Sequence, residues 1–180
     1  EIDFTLITNG LSETTPYGIY WRADGKRVYI TGGSRDTVIQ YESTGSAFDI
    51  GALNFMKEFD VVNEETSPYD VLFTKDGNQM FIVGTQVDEI NQYRLSQSWD
   101  VGTATYFTSH SVAGQEYNPY CIQMKPDYSE FYLGGGGSDN IQVYSMGNMI
   151  DSTPTTIIGD VSIDGANIDF KNTSNIKISS

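Results

Sequence analysis

The residues that could do chemistry recur at fixed spacing. A Pro-Tyr pair appears as Pro16-Tyr17, Pro68-Tyr69 and Pro119-Tyr120, followed by Asp24, Asp76 and Asp127, then by Asp36, Asp88 and Asp139. Exposed tyrosine rings could stack on a sugar ring, with Arg35, Glu64 and Asn118 on neighbouring loops offering polar groups to its hydroxyls. The competing reading packs the same rings between structural units. The repeated aspartates have two readings as well. In turns a carboxylate bonds nearby backbone N–H groups; as hard oxygen donors they could instead hold calcium, although no D-x-D-x-D-G loop is present. Carboxylate pairs for glycoside cleavage are not singled out by any spacing.

Other chemistry is thin. One histidine, His110, excludes a histidine-built metal cluster within the chain, and a Ser-His-Asp triad lacks its G-x-S-x-G elbow. His110 reads as a surface or edge residue. The glycine run Gly134 to Gly137 has no following Lys-Ser/Thr and no helix after it, so it reads as a flexible turn and not a phosphate loop. The single cysteine, Cys121, sits in an apolar strand pattern and reads as a buried free thiol. Asn172-Thr173-Ser174 matches a glycosylation sequon, a pattern too short to carry weight. The inventory predicts no catalytic residues, no cofactor and no enzyme, with calcium as the alternative.

Ten basic against 24 acidic side chains give a net charge of −14 over 180 residues. Such a surface repels phosphate backbones and anionic membranes, which disfavours nucleic acid as a partner. No apolar run is long enough to span a bilayer as a helix. A start at Glu1, with neither Met nor a basic-then-apolar leader, reads as a processed product or a piece of something longer.

The elements that must position these residues come from one repeated unit. Ser67 to Asp100 falls on the preceding stretch with a shift of 52 residues and on the following one with a shift of 51. A period near 50 marks a repeat or propeller array. Within each unit, Asp24-Gly25 and Asp76-Gly77 between apolar runs signal hairpins. The third copy has Asp127-Tyr128, which predicts a looser turn. Val28-Tyr29-Ile30, Met80-Phe81-Ile82 and Phe131-Tyr132-Leu133 are apolar at every position. A strand apolar on both faces belongs to a sheet covered on both sides, so Val28, Ile30, Phe81, Ile82, Tyr132 and Leu133 are expected to be buried.

The expected fold is all-β: three four-stranded, propeller-like blades of about 51 residues, in units of about 16–62, 68–112 and 119–158. A strand over Asp3 to Asn9 precedes them, and Thr155 to Ile158 supplies the last strand of the third unit. Closed propellers usually have four to eight blades. Three blades therefore imply an excerpt of a longer array, a ring completed by other chains, or an open bundle. Residues 159–180 hold three short alternating runs and read as a β-rich tail that pairs with another chain. The loops before the first strand and between the second and third strands open at one end, the expected ligand end.

The segments TPYGIYWRADGKRVYITG and SPYDVLFTKDGNQMFIVG, with the following QY and SWDVGTATY, resemble β-propeller repeats of tail-fibre and appendage proteins of marine bacteriophages. They are similar, more distantly, to YVTN-type propeller repeats of bacterial and archaeal surface proteins. The resemblance implies a non-enzymatic virion appendage protein, in the virion or extracellular, that presents its repeats to a host-surface glycan or protein. It implies a homo-oligomer associated with other virion proteins. A secreted or surface-layer adhesive protein is the alternative, and a propeller hydrolase or lactonase a third reading.

Overall fold

The computed structural model describes residues 13–145. The expected strand over Asp3 to Asn9, the last strand of the third unit and the 159–180 tail lie outside them.

Among the described residues eleven strands form three antiparallel sheets, each a simple meander in chain order. The first sheet contains β1 (Pro16–Trp21), β2 (Arg27–Gly32), β3 (Thr37–Ser43) and β4 (Leu53–Asp60). The second contains β5 (Pro68–Phe73), β6 (Gln79–Gly84), β7 (Glu89–Leu95) and β8 (Ala104–Ser111). The third has three described strands, β9 (Pro119–Met124), β10 (Glu130–Gly135) and β11 (Gln142–Ser145). Helical structure among the described residues is limited to single 3-10 turns at Ile50–Ala52 and Val101–Thr103. The all-β, propeller-like reading of three repeated sheets is what the chain adopts.

The registers repeat as the sequence does. Trp21 pairs with Val28 in the first unit, and Phe73 with Met80 in the second. The hairpin glycines Gly25 and Gly77 have φ of 66° and 71°, a left-handed conformation that glycine adopts without a Cβ clash. Tyr128 holds the same conformation, with φ of 62°. The expected looser turn is not found. Tyr128 N–H donates to the Lys125 carbonyl at 2.9 Å, matching Gly25 to Arg22 at 2.8 Å. Its ring packs against the core between the second and third sheets, which offsets the backbone cost.

Sheets pack face to face because their second strands are apolar on both faces. Tyr29 and Val38 of the first unit meet Val71, Phe73, Met80, Ile82 and Tyr93 of the second. On its other face the second unit sends Leu72, Phe81, Val83 and Ile90 against Ile122, Met124, Phe131 and Leu133. Val28, Ile30, Phe81, Ile82 and Leu133 are buried as expected. Tyr132 is only half-buried. Its counterparts Tyr29 and Phe81 each face the next sheet, and no further sheet covers Tyr132 among the described residues. The same position explains a second correction: Cys121 is exposed, not a buried thiol. It occupies the outward face of β9, where the second unit has Asp70.

Candidate functional site

The inner strands β1, β5 and β9 lie side by side and bring the three repeated tyrosines together. Tyr17 stacks on Tyr69 with ring centroids 4.3 Å apart and planes 6° from parallel. Tyr69 meets Tyr120 at 4.8 Å and 35°. The outer rings remain open, Tyr17 being 49% and Tyr120 43% exposed. Ring pairs of this geometry contribute about 0.5–1.5 kcal/mol beyond area burial. Slight desolvation, then the neighbouring Tyr17 and Tyr120 phenols, hold the Tyr69 hydroxyl above the usual tyrosine range. Glycine makes room for both ends of the ladder: a Cβ on Gly33 would press on Tyr17, and one on Gly136 on Tyr120.

The two loop sets do share this end. Gly33 N–H donates to Thr15 O at 3.2 Å, Thr85 N–H to Ser67 O at 3.3 Å and Gly136 N–H to Asn118 O at 3.0 Å. The polar residues expected beside the rings are otherwise engaged. Arg35 Nη2 donates to both carboxylate oxygens of Glu58 on β4, at 2.7 and 3.0 Å. Glu64 accepts from the Tyr93 hydroxyl at 3.2 Å. Asn118 differs: its backbone N–H goes to Glu116 and its carbonyl accepts from Gly136, both bonds that position the loop and leave the side-chain amide out.

A repeated glutamate three residues before each Pro-Tyr pair ties these loops down. Glu13 accepts from Thr15 N–H and from Ser34 N–H and hydroxyl. Glu65 accepts from Ser67 N–H at 2.8 Å and Gln86 N–H at 3.2 Å. Glu116 accepts from Asn118, Gly137 and Ser138. The repeated glycine that opens each second-to-third-strand loop now has a reason. A Cβ at Gly32, Gly84 or Gly135 would collide with that glutamate. In the sequence this column is visible as Glu13, Glu65 and Glu116, three residues before the units that begin at 16, 68 and 119.

The hairpin aspartates serve the backbone. Asp24, Asp76 and Asp127 accept from the N–H two residues on, at 3.0, 3.1 and 3.0 Å. Asp36 and Asp88 adopt φ of 53° and 52°, a conformation that aspartate tolerates better than most residues. Among the described residues no group of three acidic, histidine or cysteine side chains could hold a metal. His110 lies on β8 opposite Ile90, and burial lowers its basicity.

Asp70 went unnoticed in the sequence because its column holds Gly18, Asp70 and Cys121. Its carboxylate accepts from Val71 N–H at 2.9 Å and, across to the third unit, from Ile122 N–H at 3.0 Å. Burial pushes the Asp70 carboxyl above the usual carboxylate range, although both N–H bonds oppose the shift. It borders a cavity of about 290 Å³ shared with Cys121, Gln123, Tyr132 and Ile141.

No family model matches the chain, and no curated protein matches its sequence. Solved structures do. The periplasmic gluconolactonase PpgL of Pseudomonas aeruginosa is similar at 16% identity and a TM-score of 0.54, over 72% of this chain and 35% of its own. A candidate 6-phosphogluconolactonase of Bacteroides fragilis gives 18% and 0.56, over 72% and 34%. The β-propeller domain of Cps50 (Swd1) from Myceliophthora thermophila gives 8% and 0.50, over 73% and 40%. The chain thus spans little more than a third of the length of these structures. At such identities the likeness shows the fold alone: propeller-type repeats.

The virion-appendage reading is corrected by these comparisons. The similar structures include propellers named as gluconolactonases, no curated protein matches the sequence, and none of the structures above is named for a virion. The physical reason is visible in the repeats. The Pro-Tyr, Asp-Gly, Gly and Asp columns that carried the resemblance build turns, clamps and ring stacks, so they specify a blade and not a host. Structures named for enzymes share the fold, and the fold by itself does not separate an enzyme from a binding module.

Proposed function

We propose that this chain is a sector of a propeller-type protein whose tyrosine face holds a neutral, polyhydroxylated ring, a sugar or sugar-derived lactone. The observation that carries the reading is the three-ring ladder, open at both ends and flanked by loops stripped of Cβ atoms at Gly33 and Gly136. Apolar ring faces beside backbone polar groups suit a ligand whose own faces are apolar and whose edges are hydroxylated. A net charge of −14 disfavours a phosphorylated or carboxylated ligand. A lactone is neutral, and structures named for lactonases share the fold.

Asp70 favours a hydrolytic version. A half-desolvated carboxyl beside a cavity is tuned toward the range where it can accept a proton from water. In that version water adds to the lactone carbonyl, Asp70 takes its proton, and the ring alkoxide leaves and is reprotonated.

The test is titration of the chain with glucose and with δ-gluconolactone, together with a pH-indicator assay of lactone opening. Tyr17→Ala and Tyr120→Ala are each expected to weaken binding roughly threefold to tenfold. Asp70→Asn is expected to stop turnover while binding persists. Unchanged affinity in both tyrosine variants would overturn the binding reading. Turnover that survives Asp70→Asn would overturn the hydrolytic one.

A further inference from the structure

The hairpin ends of the three units differ in what lies on the turn. In the first two, an aromatic ring from the loop after the third strand sits on the hairpin glycine. Phe48 N–H donates to Gly25 O at 2.7 Å and Trp99 N–H to Gly77 O at 2.9 Å. A Cβ on either glycine would strike the ring above it. Trp99 also fills the first joint. Its ring centroid lies 5.6 Å from that of Phe73, 6.2 Å from Tyr20 and 6.3 Å from Tyr29. Its carbonyl accepts from Arg27 Nη1 at 3.1 Å. The third unit departs from this pattern in sequence. Tyr128 stands where Gly25 and Gly77 stand, and the counterpart of Trp99 is Ile150, outside the described residues.

At the second joint the matching place is a cavity of about 620 Å³, mostly apolar and lined by Thr74, Lys75, Asp76, Gln79 and Tyr128. Small-molecule sites run about 300–1,000 Å³. The hairpin of the second unit supplies four of these residues, as the hairpin of the first supplies Arg27 to Trp99. Gln79 is the direct counterpart of Arg27. Tyr128 supplies the aromatic wall, with its other contacts in the core between the second and third sheets.

We propose that this cavity binds a small, neutral, planar aromatic molecule with a hydrogen-bond acceptor at its edge, in the place that Trp99 fills at the first joint. The ligand ring packs on Tyr128, as the indole packs on Tyr20 and Tyr29. Gln79 takes the part of Arg27. Its Oε1 accepts from the Gln92 amide at 2.7 Å, so its Nε2 is the donor that meets a ligand carbonyl. Lys75 and Asp76 set the charge. Asp76 is held as a carboxylate by the Thr74 hydroxyl at 2.6 Å and Asn78 N–H at 3.1 Å, and the Lys75 ammonium shares its cavity. With one charge of each sign at the site, neither an anion nor a cation is preferred. The cavity lies at the Phe73–Met80 end of the second sheet, whereas Tyr69 lies at the Pro68–Gly84 end. It is therefore independent of the sugar reading.

Titration of the full chain with indole and with indole-3-acetamide tests this, with calorimetry for affinity and tyrosine-ring NMR for location. Saturable shifts are expected at Tyr128, with none at Tyr17, Tyr69 or Tyr120. The acetamide is expected to bind about threefold to tenfold tighter than indole, the worth of one added hydrogen bond. Tyr128→Gly restores the residue of the other two turns at a φ of 62°, which glycine adopts freely, so the hairpin keeps its fold. It is expected to weaken both probes about tenfold. Gln79→Glu keeps the acceptor for Gln92 and removes the donor, so it is expected to erase the preference for the acetamide. Shifts confined to the other tyrosines, absence of saturable binding, or affinity unchanged in Tyr128→Gly would each overturn the site. A preference for the acetamide that survives Gln79→Glu would overturn the part given to Gln79.

Discussion

The joint between the first and second units and the joint between the second and third use the same columns of the repeat with different chemistry. In the first joint Tyr29 packs on Phe73 at 4.2 Å and its hydroxyl donates to the Trp99 carbonyl at 2.7 Å. Arg27 reaches the same carbonyl at 3.1 Å, Lys57 pairs with Asp100 at 2.7 Å, and Gln40 accepts from Val101 N–H at 3.0 Å. In the second joint the counterpart of Tyr29 is Phe81, set edge-on to Phe131 at 4.8 Å, and that of Arg27 is Gln79. Polar contact there, among the described residues, runs through Asp70 to Ile122 N–H. The lesson is that a repeat fixes where a side chain sits and how large it is. Its hydrogen bonding is free to drift, because the apolar area of a stacked sheet dominates the contact.

The comparison can be broken by truncation. Tyr29→Ala and Phe81→Ala should each cost about 3–5 kcal/mol, nearly alike, because both rings are fully buried. Chemical denaturation would show it, and a Tyr29 cost several-fold above that of Phe81 would mean the polar contacts dominate the first joint. A smaller change sharpens the contrast. Tyr29→Phe converts the first joint to the pattern of the second and should cost about 0.5–1.5 kcal/mol, the worth of one hydrogen bond. The Asp70 contact is distinguishable by pH. Its carboxyl is raised by burial, so the native state binds the proton more tightly and wild-type stability should decline as pH rises through that raised value. Asp70→Asn should remove this decline, as followed by denaturation midpoints at pH 4 and pH 8.

The parts legible in the sequence are those that local chemistry dictates. Asp-Gly turns, second strands apolar on both faces and the 52- and 51-residue shifts lead to three stacked meanders, and Tyr17, Tyr69 and Tyr120 do share one end. Contacts between strands far apart in sequence were not legible. Arg35 looks free until Glu58 of β4 is folded beside it. Cys121 and Tyr132 read as buried because the pattern cannot tell an internal sheet from a terminal one. The host-binding reading failed for a related reason: columns repeated for packing carry no information about a partner.

The stacked tyrosine face can be tested directly by NMR of tyrosine-ring-labelled protein, observed with and without δ-gluconolactone and glucose. Stacking predicts that the Tyr17, Tyr69 and Tyr120 ring signals are shifted upfield together and that ligand moves the two outer ones most. Ring signals at unstacked positions, or ligand-induced shifts confined to Tyr128 at the opposite, hairpin end, would contradict it.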